Sequence, residues 1–229
     1  MATRSYDLTD EVQVKEYLRD IETEYQFQCL HEKQADGCHR LAEFRENIKR
    51  DVEAAVPLYK DNCDTRQYPK SCYKYGQSLL KGRGIPDNKP DYLSALKYYE
   101  KSCDLDCPEG CFVAAQLRTS NNVGTEQSIE KAMPLYSKAC ALKDGEACFK
   151  LSTFYLRGEF VDKDLKRAYE FAKTSCEMDN FMACNNLSLM YRHGHGTETN
   201  SFLADQAKQR AVLLAAENAK NQRALKVNQ

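Results

Sequence analysis

Cysteine is the residue type that offers this chain most of its chemistry. Eleven stand in 229 residues: Cys29, Cys38, Cys63, Cys72, Cys103, Cys107, Cys111, Cys140, Cys148, Cys176 and Cys184. Ten fall into five close pairs, two spaced C-x8-C (Cys29/Cys38, Cys63/Cys72) and three spaced C-x7-C (Cys103/Cys111, Cys140/Cys148, Cys176/Cys184). Such pairs could be structural disulfides, metal ligands or redox-active dithiols. Zinc sites favour two to four residues between ligands, which these pairs exceed. Cys103, Cys107 and Cys111 could share one helical face, but Pro108 and Gly110 interrupt that helix. Cys107 is left over as a thiol, and Cys107-Pro108 has the look of a haem-regulatory dipeptide. Histidine is scarce: His31 and His39 flank the first pair, and His193-Gly-His195 could hold a metal or simply form a glycine turn.

The spacing of the cysteines also describes the elements that carry them. The first members of successive pairs lie 34, 40, 37 and 36 residues apart, a period that signifies stacked supersecondary units. Eight and four residues before each first cysteine stand Ile21/Tyr25, Ala55/Tyr59, Ala95/Tyr99, Ala132/Tyr136 and Ala168/Ala172. That spacing keeps all three positions on one helical face, and the small residues let a neighbouring helix come close. After each second cysteine follow Leu41-Ala42, Tyr75-Gly76, Ala114-Ala115, Leu151-Ser152 and Leu187-Ser188, and three of these helices reach Gly82, Gly158 or Gly194, the expected left-handed terminator. A pair within one continuous helix would hold its α-carbons about 12 Å apart, whereas a disulfide needs them within about 7 Å. The pairs can close only where the chain reverses, and the intervening ADG (35–37), YPK (68–70), CPEG (107–110), KDG (143–145) and MDN (178–180) agree.

The expected fold is therefore all-α: an αα-hairpin solenoid of about eleven helices across a single domain, 1–229. Residues 10–29 form an N-terminal capping helix, five repeats span about 35–215, and 216–229 is expected to fray. Pro57 and Pro134 occupy equivalent places and kink their helices only if those begin well before them. Tyr59, Tyr75, Tyr99, Tyr136, Tyr155 and Tyr191 recur with the repeat and read as packing residues. Tyr6, Phe160, Phe181 and Phe202 do not recur, which makes them better surface candidates.

Composition excludes several functions. Lys+Arg 33 against Asp+Glu 34 is not the balance of a general nucleic-acid binder. No apolar run reaches the ~20 residues of a membrane-spanning helix. The opening MATRSYDLTDEVQVKEYL has neither the apolar core of a secretory signal nor the acid-poor character of a transit peptide.

The pattern A-x3-Y-x3-C-x7/8-C-x2-[LYA]-[AGS]-x2-[YL]-x2-G resembles the cysteine-rich Sel1-like repeat over about residues 14–215. The stretch from Glu11 to Leu41, with CLHEKQADGCHRL, is similar to the Sel1 repeat-containing cytochrome c oxidase assembly factors of mitochondria. The third repeat departs from the pattern, with Cys107 extra and no glycine at the usual distance after Arg118. The resemblance implies a non-catalytic scaffold for assembly of respiratory-chain complexes, chiefly cytochrome c oxidase. It would sit in the mitochondrial intermembrane space, entered without a cleaved presequence and held there by disulfide formation. That compartment also reconciles many cysteines with the lack of a signal, because disulfides need an oxidising environment. The five pairs are accordingly expected to be structural disulfides.

The expected partners are respiratory-complex subunits or assembly factors and the oxidative import machinery of that space, with no nucleic acid and no membrane span; a monomer is expected. No cofactor or metal is expected. The alternative is a haem-binding or thiol–disulfide redox factor serving the same assembly, with His31 as the haem residue and Cys107 as the reactive thiol. A remoter one, taken from bacterial members, is a β-lactam-binding protein. Ser71/Lys74, Ser78/Lys81, Ser94/Lys97 and Ser128/Lys131 fit S-x-x-K, but its catalytic companions S-D-N and K-T-G are missing.

Overall fold

The computed structural model describes residues 6–120 and 127–227. Its described residues form eleven α-helices and no strand. Their contacts cluster into two compact units, Met1–Leu105 and Asp106–Gln229. The first holds α1 (Glu11–Leu30), α2 (Ala35–Asn47), α3 (Val52–Arg66), α4 (Pro69–Lys81) and α5 (Tyr92–Asp104). The second holds α6 (Pro108–Thr119), α7 (Ile129–Ala141), α8 (Gly145–Arg157), α9 (Leu165–Glu177), α10 (Phe181–His193) and α11 (Ser201–Val227). Within each unit, consecutive helices pack as antiparallel neighbours.

The helices begin and end where their sequences say they must. Asp51, Asp91, Ser128, Asp144, Asp164 and Asn180 are N-caps whose side chains accept a backbone N–H from the first turn. Gly82, Gly158 and Gly194 close α4, α8 and α10 at φ 65°, 70° and 68°. At Gly82 a Cβ would also meet the carbonyl carbon of Lys89 at 2.7 Å, so space and backbone conformation both demand glycine. Where no glycine follows, after α2, Arg50 takes the left-handed conformation instead. Pro57 and Pro134 do lie inside α3 and α7, the sixth residue of each. Each removes one N–H from the helical ladder.

Four disulfides close the turns between helices: Cys29–Cys38, Cys63–Cys72, Cys140–Cys148 and Cys176–Cys184, with α-carbons 4.4–4.8 Å apart. Cys103 and Cys111 are disulfide-bonded as well. The turns they close share a feature that no glycine announces. Lys33, Gln67, Asp106, Lys143 and Asp179, one in each connection, all adopt positive φ, between 51° and 73°. An L-residue pays about 1–2 kcal/mol for that conformation. A covalent loop of about nine residues contributes roughly 2.5 kcal/mol in the chain-entropy model, enough to hold it.

Packing between helices uses the small residues. Ala42, Ala55 and Tyr59 form one buried cluster. Gly76 lies where a Cβ would be 3.2 Å from the Tyr99 ring, and Ser152 donates its hydroxyl to the Ala168 carbonyl at 2.8 Å. A second device braces three of the helix pairs. The residue preceding the first cysteine of a pair reaches back to the first residue of the helix immediately before its own. Asn62 Nδ2 donates to the Ala35 carbonyl (2.9 Å), Ser102 Oγ to Pro69 (2.8 Å) and Ser175 Oγ to Gly145 (2.7 Å). The equivalent residue before Cys140 is Ala139, which has no donor to offer.

The C-terminal segment departs from expectation. Residues from 216, expected to fray, continue α11 as helix to Val227. Alanine, glutamate, lysine, glutamine and arginine dominate this stretch and are strong helix formers, which sustains the helix although residues 216–223 are all exposed.

The brace gives a direct test. Ser175 is fully buried, and Ser175→Ala leaves the Gly145 carbonyl without this donor. The change is expected to cost about 1 kcal/mol of unfolding free energy in a urea titration.

Candidate functional site

Cys107 is the residue on which redox chemistry would depend. It is the N-cap of α6, followed by Pro108 at the first helical position. It lies outside the disulfides and is only 4% exposed. Its Sγ approaches Glu109 Oε2 at 3.2 Å, an S–H donating to a carboxylate. Reactive thiolates instead occupy accessible, electropositive surroundings.

The histidines separate into three environments. His31 caps the C-terminus of α1, exposed, with its ring stacked on Phe27 at 5.3 Å. Phe27 and the adjacent Leu30 are themselves more than half exposed. They are flanks of an open helix end, whereas haem is held within apolar walls, and the surroundings of His31 do not fit that group. His193 and His195 are both exposed, their rings 5.6 Å apart. Among the described residues no cluster of three or more His, Cys, Asp or Glu could hold a metal ion.

His39 is different, for it is buried at the centre of a polar cluster in the first unit. Its Nδ1 lies 3.0 Å from Ser71 Oγ, which also accepts from Asn62 Nδ2 at 2.8 Å, while Nε2 faces Glu43 at 3.6 Å. The rings of Tyr59 and Tyr68 flank it at 5.6 and 5.1 Å. Tyr59 in turn donates to Glu46, which Lys74 also contacts. Asn62 Oδ1 is buried in this cluster with no partner. Burial holds the His39 imidazole below the ordinary histidine range, opposed by Glu43 and reinforced by Lys74 and Lys70.

The serines of the S-x-x-K matches are occupied structurally. Ser71 is fully buried within the His39 cluster, and Ser78 donates back to the Lys74 carbonyl. The backbone N–H of Ser94 is held by the Asp91 cap, and Ser128 is itself the cap of α7. The recurring tyrosines divide: Tyr59, Tyr99 and Tyr136 are core residues, while Tyr75, Tyr155 and Tyr191 are half-buried. Of the non-recurring aromatics, Phe160 packs edge-on against Phe154, and Tyr6 lies tilted against Tyr17 while donating to Asp20. Phe202 is 68% exposed.

Phe181 lines the feature that the sequence reading did not assemble. A groove of about 400 Å³ in the second unit lies between α8, α10 and α11. Phe149, Phe181, Met182, Ala211, Val212 and Ala215 give it an apolar lining, and Asn185, Asn186 and Lys208 supply its polar edge. Lys208 donates to Asn185 Oδ1 at 2.7 Å. A signal was present in the sequence: Lys208 stands four residues after Ala204, where three earlier repeats have tyrosine.

Paired helices of this kind, repeated about every 36 residues and joined by disulfide-closed turns, define a Sel1 repeat protein. The Sel1 repeat family model matches residues 69–107, 114–144, 145–180 and 181–204. A Sel1 repeat protein from Oxalobacter formigenes has the same fold, with TM-score 0.70 at 20% identity over 88% of this chain and 84% of that one. "Cytochrome c oxidase assembly factor 7" of Xenopus tropicalis is 37% identical over 211 residues, 90% of each chain. The Homo sapiens protein of that name is 31% identical over 220 residues, 93% of this chain and 94% of that one. The chain belongs to the cytochrome c oxidase assembly factor 7 family of Sel1 repeat proteins.

The His39 cluster makes stability depend on pH with a definite sign. Because folding lowers this pKa, the unfolded chain binds the proton more readily. The contribution is complete above the ordinary histidine value near 6.5 and is lost as pH falls below it. Thermal unfolding between pH 7.5 and 5.5 (about the range in which histidine titrates) is expected to show a falling midpoint. His39→Gln should flatten that slope; an unchanged slope would place the titration elsewhere.

Proposed function

We propose that this protein is a non-catalytic interaction scaffold for the assembly of mitochondrial respiratory-chain complexes, chiefly cytochrome c oxidase, and works in the intermembrane space. The observation that carries the reading is the extent of the family likeness. It runs over 90% of both chains with the Xenopus tropicalis relative and includes the disulfide-paired repeats. Helical repeat arrays offer extended surfaces whose usual partners are other proteins.

The cysteine chemistry supports the compartment. Five paired cysteine sets persist only where thiols are oxidised, and the intermembrane space is the oxidising compartment of the mitochondrion that fits the family's name. Among the described residues no helix is long and apolar enough to cross a membrane. The scaffold role agrees with the placement of the chemically capable groups. Cys107 and Ser71 are buried, and the buried His39 is engaged by neighbours that hold the repeats together.

Affinity capture of the tagged chain from mitochondria, after brief crosslinking, tests the reading. Cytochrome c oxidase subunits or their assembly partners should be enriched over a control bait. If none appears, while the bait is protected from protease in intact mitochondria and cleaved once the outer membrane is opened, the assembly role fails although the compartment stands.

A further inference from the structure

The repeats of this chain can be compared with one another, and the last ones break their own rules at a single place. In the first three repeats the residue after the second cysteine meets the recurring tyrosine of the following helix. His39 lies 5.6 Å from Tyr59, Tyr73 5.6 Å from Tyr99 and Phe112 6.0 Å from Tyr136, ring centre to ring centre. In the fourth the tyrosine position is Ala172, opposite Phe149, and in the fifth the pair is Asn185 and Lys208. Phe149, Asn185 and Lys208 of these two pairs line the groove between α8, α10 and α11.

Two further positions change character there. Two residues before the second cysteine, the earlier repeats carry Asp36, Lys70, Glu109 and Glu146, but the last carries Met182, 37% exposed. Eight residues after the leading alanine, they carry the first cysteine of a pair, whereas α11 carries Val212, 58% exposed. At Cys63, Cys140 and Cys176 that position is covered by the next hairpin, whose second cysteine is bonded to it. Met182 and Val212 are both exposed beside the groove.

The charge around the groove is one-sided. Its lining contains Lys208 and no carboxylate, and the hydrogen-bond partner of Lys208 is a neutral amide. On α11 the same face continues through Ala215, Ala219 and Gln222 with exposed Arg223 beside it, while Glu217 lies on the opposite side. Of the acidic groups nearby, Asp205 pairs with Arg192 and Asp179 with Arg210, while Glu146, outside the lining, accepts from the neutral amide of Asn180.

We propose that this groove docks an amphipathic helix of a partner protein, its apolar stripe laid along Phe149, Met182 and Val212 and its acidic flank against Lys208 and Arg223. The small residues Ala211 and Ala215 let the backbone of the partner helix approach closely. Helix-in-groove recognition uses this combination of apolar anchors at i, i+3/4 and i+7 with complementary charge. The proposal rests on the protein-interaction reading above and assigns that interaction a surface and a partner chemistry.

The test uses the full chain and a fluorescein-labelled helical peptide of about 18 residues, with leucines at i, i+3/4 and i+7 and glutamates on the flanks. A twin peptide carries lysine in place of glutamate. The acidic peptide should bind at least about tenfold more tightly than its twin, and hydrogen exchange should slow in α10 and α11 when it is bound. Lys208→Glu should reverse the preference. Lys208→Tyr, which restores the ring found here in earlier repeats and fills the groove, should abolish binding without lowering the thermal midpoint. Equal binding of the two peptides, or binding that survives Lys208→Tyr, would overturn the proposal. So would a sedimentation result in which the chain alone is a dimer and Val212→Glu makes it monomeric, for the occupant would then be a second copy. If mitochondrial capture still recovers respiratory subunits with Lys208→Tyr, the groove assignment fails while the assembly function stands.

Discussion

A covalent bond across a short turn is the constraint on which the rest of this structure depends. Within each unit the bonded cysteine pairs tie the last turn of one helix to the first turn of the next, with the α-carbons under 5 Å apart. That closeness fixes where the chain reverses. It also fixes which face of each helix meets its neighbour, because the cysteine, the tyrosine or alanine four residues earlier and the small residue eight earlier share one side. The alanine and glycine contacts, the braces from Asn62, Ser102 and Ser175, and the left-handed residues in the connections all follow from holding two helix ends at that distance.

The covalent closure also explains how a chain with modest apolar content sustains its stacked helix pairs. Large side chains in its core are few: Tyr59, Tyr99, Tyr136, Leu41, Leu151 and Met190 are fully buried, and the remainder is largely alanine, serine and cysteine. Small residues bury little apolar surface each, so hydrophobic stabilisation per repeat is limited. Restricting the unfolded chain by about 2.5 kcal/mol per bond offsets that limit without requiring bulk. Buried polar groups add specificity. The His39–Ser71–Asn62 contacts distinguish one repeat boundary from the others, where glutamine, serine or alanine stands in place of Asn62.

What repeated in the sequence was legible there. The cysteine period, the Ala-x3-Tyr face and the glycine stops stood in register, and each has one physical meaning: a turn, a buried face or a left-handed cap. What did not repeat was harder to read. Lys33, Gln67, Asp106, Lys143 and Asp179 have positive φ although their residue types do not announce it, because the closed loop rather than local preference selects that conformation. The helix beyond residue 216 was obscured by polarity, since exposed helical residues and a disordered tail share the same composition. The groove was the least visible feature. It lies where Lys208 stands in place of the recurring tyrosine, and an absence reveals a site only once the neighbouring helices are in place.

The central claim is that the disulfides hold the array together. It is tested most directly by urea unfolding of the same protein with and without tris(2-carboxyethyl)phosphine, followed by circular dichroism. Reduction leaves every side chain in place as a thiol, so only the covalent constraint is removed. The predicted result is a large fall in midpoint or loss of cooperative unfolding, because several bonds at about 2.5 kcal/mol each rival the roughly 5–15 kcal/mol by which a whole domain is stable. A fully reduced chain that unfolds at the same urea concentration, with the same slope, would contradict it.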